Sequence, residues 1–392
     1  MFIDIDCHQI KKYNQNAFGD YFTSKRYPDE GKLIAVLSDG LGSGIKANIL
    51  SCMTATMLLR FVEKQEIPIR KAAEIVMNSL PVCKVRKISY STFSMIDLRL
   101  GGITRIVEMG NPQYIQLRGT EEIQPLKHET IVSKHWPDRQ VECYELKMEP
   151  GDRLIVSSDG VTQSGLGEGP QYRFGWRRSG EMAYARERIA SNPEISSFSL
   201  ARSIAYQAYG ISKNTCKDDI SCMVIYMRKP RVMRLLTGPP FHKDHDIDFA
   251  KRADLGEDHT IVCGGTTANI LERIIGRKVE IDISKLKRDD KLPPAGRLPG
   301  VAMVTEGILT LTRVCKALEN SEPTDNLPVT ARKIIEMMRQ HDKIEFIVGT
   351  KVNEAHQDPS LPQDLELRRG IIRRISAALN QKFRKETEIT FF

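Results

Sequence analysis

The sequence predicts an α+β layered sandwich over residues 1–229 followed by a smaller α/β domain over residues 230–392, and three observations carry that prediction. Up to Met227 the patterns run in blocks, strands, then two helices, then strands, then helices, rather than as a regular βαβ repeat. Beyond Pro240 apolar strands alternate with helices, as in a small parallel-sheet domain. Between them "RKPRVMRLLTGPP", Arg228 to Pro240, breaks the pattern with prolines and basic residues and marks a boundary. A chain of 392 residues also exceeds one ordinary core.

In chain order, "FIDIDC" (residues 2–7) alternates apolar and acidic residues like a half-exposed strand. Lys32 to Ser38 is continuously apolar, hence a strand buried on both faces. From Ile45 the residues Leu50, Met53, Met57 and Phe61 recur at spacings of three and four, predicting a helix to about Lys64 with those residues on its buried face. Pro68 opens a second helix reaching about Leu80. Between Ser91 and Met148 four short β segments, "STFSMIDLRL", "TRIVEMG", "QYIQLRG" and "ECYELKM", are punctuated by glycine turns and read as an antiparallel meander. A strand at Arg153 to Ser158, helices near Glu181 to Ile189 and Leu200 to Tyr209, and a strand "SCMVIYM" complete the first domain. In the second, "HTIVCGG", "GVAMV" and "KIEFIVG" are strands, with helices at Ala268 to Ile275, Gly307 to Leu318 and Ala331 to Gln340. A polar, proline-bearing stretch from Asn353 to Gln363 leads into a basic amphipathic helix from about Leu365 to Phe383.

Composition narrows the function classes. No apolar run approaches the roughly 18 residues that span a bilayer, and Met1 to Asn16 lacks a signal peptide's basic start and apolar stretch. The eight cysteines, Cys83 among them, form no C-x-x-C pair, so no zinc knuckle or redox motif is written. A cytoplasmic location with reduced thiols is expected. The formal charge of +8 is spread along the chain, which predicts no nucleic-acid partner, and no membrane partner is expected.

Two segments then stand out. "LIAVLSDGLGSG" (33–44) and "RLIVSSDGVTQSG" (153–165) each drive an apolar strand into Ser-Asp-Gly. A carboxylate at the end of a buried strand is costly unless a positive charge meets it. No lysine or arginine adjoins Asp39 or Asp159, while Asp20, Asp218 and Asp219 also abut strands. Hard oxygen ligands clustered in this way suit Mg²⁺ or Mn²⁺, and Gly40, without a side chain, lets its carbonyl turn toward a cation. Gly40, Gly42 and Gly44 follow a strand, but their G-x-G-x-G spacing lacks the gap that a dinucleotide loop requires.

The order "GD", "SDGLGSG" before a long helix, "GNPQYI", "GDRLIVSSDGVTQSG" and "DDIS" before a strand resembles the metal-dependent PPM serine/threonine protein phosphatases, and among them the sporulation stage II protein E branch. The resemblance covers residues 1–229. It implies a β-sandwich flanked by helix pairs, and two Mn²⁺ or Mg²⁺ ions held by Asp20, Asp39, the Gly40 carbonyl, Asp159 and Asp218, with Asp219 the rival of Asp218. Asp39 and Asp159 are the acids it makes central to catalysis. It implies hydrolysis of phosphoserine or phosphothreonine on a regulatory protein, an anti-sigma-factor antagonist among the candidates, by a water that the two metals activate. The substrate-phosphate arginine of the eukaryotic members has no counterpart near Asp20, since Lys25 and Arg26 lie downstream. A phosphatase-like scaffold or nucleotide-sensing module without turnover is the alternative, and assembly as a homodimer is left open.

Other constellations read more plainly. Arg173, Arg177 and Arg178 with Trp176 form either a substrate-embracing loop or a solvated one anchored by its tryptophan. "TIVCGGTTANI" is a tight turn or an anion nest at a helix start, without a P-loop lysine. "FHKDHDIDF", with His242, Asp244, His245, Asp246 and Asp248, fits no closed zinc spacing and reads as a polar loop. Glu306 is expected at a helix start, and Arg368, Arg369, Arg373 and Arg374 on a solvated basic face or a partner-docking one.

Overall fold

The computed structural model describes residues 1–63, 67–80, 91–133, 139–253, 259–276, 278–281, 295–322, 327–351 and 361–392, with backbone alone at 29, 281 and 361–366. Cys83 and residues 353–360 of the proline-bearing stretch lie outside them. The chain divides into two compact units, Met1–Lys229 and Pro230–Phe392.

The strands of the first unit are β1 (Phe2–Ile10), β2 (Tyr21–Tyr27), β3 (Lys32–Gly40), β4 (Ser91–Arg99), β5 (Ile103–Met109), β6 (Ile115–Arg118), β7 (Glu121–Glu122), β8 (Lys127–Val132), β9 (Gln140–Lys147), β10 (Asp152–Ser157) and β11 (Ile220–Arg228). Its helices are α1 (Gly44–Glu63), α2 (Ile69–Ser79), α3 (Asp159–Thr162), α4 (Arg177–Ser191) and α5 (Ser197–Ile211). Two antiparallel sheets form, β1-β11-β10-β6-β7 and β2-β3-β4-β5-β9-β8. Strand alternation explains the layers. Leu33, Ala35 and Leu37 of β3 meet Leu154, Val156, Met223 and Ile225 of the other sheet between the two. Ile34 and Val36 point the opposite way, onto Ala55, Leu58, Ala72 and Val76 of α1 and α2, while Ile155, Ile220 and Val224 pack on α4 and α5 through Ala185, Leu200 and Ile204. The unit is a β-sandwich with helices on both outer faces, and the apolar run of β3 is continuous because both of its faces are covered.

Four expectations need correction. The meander omits β6, which pairs with β10 in the opposite sheet; strand partners are set by packing over long separations that local pattern does not encode. β1 is not half-exposed at its start, because Asp4 is buried, accepting from Ser197 N at 3.0 Å and Arg228 Nη2 at 3.1 Å. On α1 the buried residues are Ala47, Ser51, Thr54, Ala55, Leu58 and Val62, and Met53 is 57% exposed. Small side chains let α1 lie close on β3, with Leu58 and Val62 also inside, while Met57 and Phe61 fall to the flank and Met53 to the outside. α1 is also long and apolar enough by length and composition to cross a membrane, contrary to the expectation that no run reaches that length; in this fold its inner face packs on the sheet.

The second unit has the strands β12 (Val232–Thr237), β13 (Thr260–Cys263), β14 (Glu280–Ile281), β15 (Gly296–Leu298), β16 (Val301–Thr305), β17 (Lys343–Val348) and β18 (Glu386–Phe391). Its helices are α6 (Asp246–Lys251), α7 (Gly265–Ile275), α8 (Ile308–Asn320), α9 (Val329–Gln340) and α10 (Leu361–Phe383). The sheet order is β14-β15-β16-β13-β12-β17-β18, parallel from β16 to β18 with an antiparallel edge. The stretch read as a pattern break holds β12 in the middle of this sheet, with Met233, Leu235 and Leu236 buried. Pro230 and Gly238-Pro239 bound the strand rather than abolish it. Leu361 to Gln363, read as loop, belong to α10, and β18 had no counterpart in the sequence reading.

Candidate metal centre

Both Ser-Asp-Gly segments are built on close backbone approaches. β3 runs through Asp39 and Gly40 before the chain turns into α1, and a Cβ on Gly40 would stand 2.0 Å from the Ala47 carbonyl oxygen. β10 ends at Ser157, Asp159 opens α3, and a Cβ on Gly160 would stand 2.0 Å from the Asp219 carbonyl oxygen. Each glycine is therefore demanded by packing, a reason beyond the free carbonyl inferred for Gly40. The first approach seats α1 beside Asp39; the second ties the start of α3 to the entry of β11.

The structure brings Asp20, Asp39, Asp159 and Asp218 together. Asp39 feels the charge of Asp20, Asp159 and Asp218. Burial first, then these neighbouring carboxylates, hold Asp39 well above the usual carboxylate range. Asp20 is raised by burial, against a hydrogen bond from Ser221 Oγ at 2.5 Å, and Asp159 by burial and then by Asp218. Gln163 Nε2 donates to Asp159 Oδ2 at 2.9 Å, while Asp159 Oδ1 is buried with no hydrogen-bond partner. No ion pair reaches Asp20, Asp39 or Asp159 among the described residues.

This donor set fits hard divalent cations in its chemistry: all oxygen, crowded, mutually repelling, with one orphaned buried carboxylate oxygen. Among the described residues no three acidic, histidine or cysteine side chains are already disposed around a single point. The carboxylates crowd one another instead, and like charges at close range make each harder to ionise.

The adjacent acids Asp218 and Asp219 have separate places. Asp218 lines the same cavity, of about 930 Å³, as Asp39, Gly40 and Asp159. Asp219 turns away, its Oδ1 accepting from Lys12 N at 2.8 Å and its Oδ2 from Gly19 N at 2.5 Å. Ser91 Oγ donates to the Asp39 carbonyl at 2.9 Å and meets Ser38 Oγ at 2.7 Å, fixing the end of β3.

Three cavity residues escaped the sequence reading. Lys12 lines the cavity, and among the described residues no hydrogen bond or ion pair engages its ammonium. Arg139 also lines it, but its guanidinium is committed to the Met77 and Leu80 carbonyls. Glu108 is fully buried, with Ser94 Oγ at 3.2 Å and Tyr114 N at 3.4 Å, and burial pushes its carboxyl up to about 8. Lys12 had no legible signal, being one of two adjacent lysines in a polar loop. Glu108 lies within the β segment "TRIVEMG", whose local pattern does not mark it out.

The other candidates lie elsewhere. Lys25 pairs with Glu63, and Arg26 donates to the Ile3 carbonyl at 2.5 Å. Arg178 is spent on the Tyr114 carbonyl at 2.8 Å and Glu122 at 2.6 Å, while Arg173 and Arg177 lie over Phe174. Trp176 packs edge-on to Tyr184. In the second unit, Gly264 caps α7 with φ +111°, and Glu306 Oε2 accepts from Leu309 N at 3.2 Å, the helix-start role expected of it. Asp246 pairs with Arg273, and Arg374 with Glu319 at 2.6 Å. Arg369 lies over Phe391.

Residues 29–228 match the family model of stage II sporulation protein E. No curated protein matches the chain. Among solved structures, the PP2C phosphatase domain with a regulatory fragment of that cell-fate determinant from Bacillus subtilis is 19% identical, with 58% of this chain and 62% of that one covered and a TM-score of 0.45. The chain therefore spans less than two thirds of that structure. RsbX in complex with magnesium is 18% identical over 57% of this chain and 94% of its own, with a TM-score of 0.40. The RsbU and RsbW domains of a Mycobacterium tuberculosis protein are 15% identical, with coverages of 64% and 68% and a TM-score of 0.47. The family model spans just over half of the chain, and the protein belongs to the stage II sporulation protein E family.

Proposed function

We propose that the first unit hydrolyses phosphoserine or phosphothreonine on a regulatory protein, with two divalent cations, Mn²⁺ or Mg²⁺, held by Asp20, Asp39, Asp159, Asp218 and the Gly40 carbonyl. The observation that carries this reading is the convergence of four carboxylates from separate strand ends, with no ion pair reaching Asp20, Asp39 or Asp159 among the described residues. Bound cations would supply charge neutralisation and a water acidic enough to give hydroxide near neutral pH.

The chain's own residues do the rest. Ser91 and the Gly40 approach to α1 fix Asp39, Gln163 orients Asp159, and Ser221 orients Asp20. Lys12 is the cation left to receive phosphoryl oxygens, in the role for which the sequence offered no arginine, and Asp219 anchors the loop that carries it. No cysteine lines the cavity among the described residues, which favours attack by water over a thiolate. The cavity's size suits a phosphorylated side chain presented by a protein, and an anti-sigma-factor antagonist is the class of substrate that family membership favours.

The test is phosphate release from p-nitrophenyl phosphate and a phosphoserine peptide by the full chain with Mn²⁺. Turnover should vanish with chelator and in Asp39→Asn and Asp159→Asn, with circular dichroism unchanged. Near-wild-type turnover in both variants would sink the reading.

A further inference from the structure

A second cavity, of about 470 Å³, lies on the helix-facing side of the β2–β3–β4–β5–β9–β8 sheet. It is lined at the beginning of β3 by Lys32, whereas Asp39 stands seven residues along the same strand, about 23 Å away. Its volume is that of a small-molecule site, and its floor is apolar, through Val62, Ile67, Ile69 and Val107.

The charges around it are unequally matched. Arg105 pairs with Glu145 at 3.2 Å, and Arg70 and Lys127 share Glu129 at 3.0 and 3.7 Å. Lys32 is 2% exposed and, among the described residues, has no acidic partner, only the Tyr27 ring 5.6 Å from its ammonium. Directly across the ladder from it stands Arg99, also without an ion pair among the described residues. A like-charged cross-strand pair is destabilising, and a lysine buried without an anion more so. Two residues along from Arg99, on the same face, Asp97 is 9% exposed, and its Oδ1 is buried without a hydrogen-bond partner. Lys32 and Asp97, the latter across the ladder from Arg105, are therefore buried at the cavity with no ion pair among the described residues, above an apolar floor.

We infer that this cavity binds a small organic carboxylate with an apolar body, its carboxylate between Lys32 and Arg99, and that Asp97 selects a ligand also bearing an ammonium group, the chemistry of an apolar α-amino acid. Carboxylate against the two cations relieves their repulsion; ammonium against Asp97 satisfies the orphaned oxygen; the side chain covers the valine and isoleucines.

The experiment is thermal unfolding of the full chain with three probes sharing one branched apolar body: L-leucine, isovalerate and 3-methylbutylamine. L-leucine should give the largest saturable rise in melting temperature, isovalerate a smaller one and the amine none. Lys32→Met and the exposed Arg99→Ala should each weaken the L-leucine response about tenfold or more in apparent affinity. Asp97→Asn should erase the preference for leucine over isovalerate. The inference is overturned if neither carboxylate raises the melting temperature, if the amine alone does so, or if folded Lys32→Met and Arg99→Ala respond to leucine as the wild type does.

Discussion

Asp219 holds the backbone amide of Lys12 at 2.8 Å although 207 positions separate them, while its neighbour Asp218 opens onto the cavity. Two adjacent acids thus divide the work: one builds the site's wall and the other its floor. Replacing Asp219 with Ala strands two backbone N–H groups, and the variant should lose about 2 kcal/mol or more in urea unfolding. Asp218→Asn removes a charge from a like-charge cluster and should keep wild-type stability while losing phosphate release. Equal stability losses in both variants would contradict this division.

Asp39 carries the same logic further. Its carboxyl is held high by burial and by three other acids, so Asn at this position relieves repulsion. Asp39→Asn should be as stable as the wild type, or more so, in chelator-containing buffer, when unfolding midpoints are compared. A loss of several kcal/mol would mean that the carboxylate is matched by a cation of the protein.

The paired glycines give a steric prediction. Gly160→Ala places a methyl 2.0 Å from the Asp219 carbonyl oxygen, and overpacking against rigid backbone costs about 3 kcal/mol. Gly42, with φ +111° and open space around it, should cost only about 1 kcal/mol as Ala, from backbone strain alone. Denaturant midpoints should rank the two in that order.

Glu108 sets a pH dependence. Its carboxyl is raised from 4.5 to about 8 by burial, so the folded state keeps a proton that the unfolded state releases. Its contribution to stability is full below about pH 4.5 and is lost as pH rises through about 8. Wild-type stability should fall across that window, and Glu108→Gln should flatten the slope. An unchanged slope in the variant would place the titration elsewhere.

Lys12→Ala should raise KM for p-nitrophenyl phosphate about tenfold or more if its ammonium meets the phosphoryl oxygens, with partial recovery in Lys12→Arg. Wild-type KM in Lys12→Ala would remove it from that role.

What the sequence disclosed follows from what is local. Apolar runs such as Leu33–Leu37 announce buried strands wherever they pair, and Gly40 and Gly160 mark turns whatever lies above them. The identity of a partner is not local: β6 reads like any meander strand, yet packing assigns it to the sheet of β10. The inner face of α1 is built from Ala47, Ser51 and Ala55, whose smallness hides it from a search for bulky apolar residues. Asp218 and Asp219 are indistinguishable by type, and only the Lys12 and Gly19 amides separate them. Lys12 had no signal because a lone lysine acquires meaning only from what folds opposite it.

Calorimetric titration of the chelator-stripped full chain with Mn²⁺ meets the central claim most directly. Two ions should bind per chain in the wild type, and Asp39→Asn, still folded, should lose at least one of them. A wild type that binds no Mn²⁺ at millimolar concentration, or an Asp39→Asn isotherm that overlays it, would contradict the account.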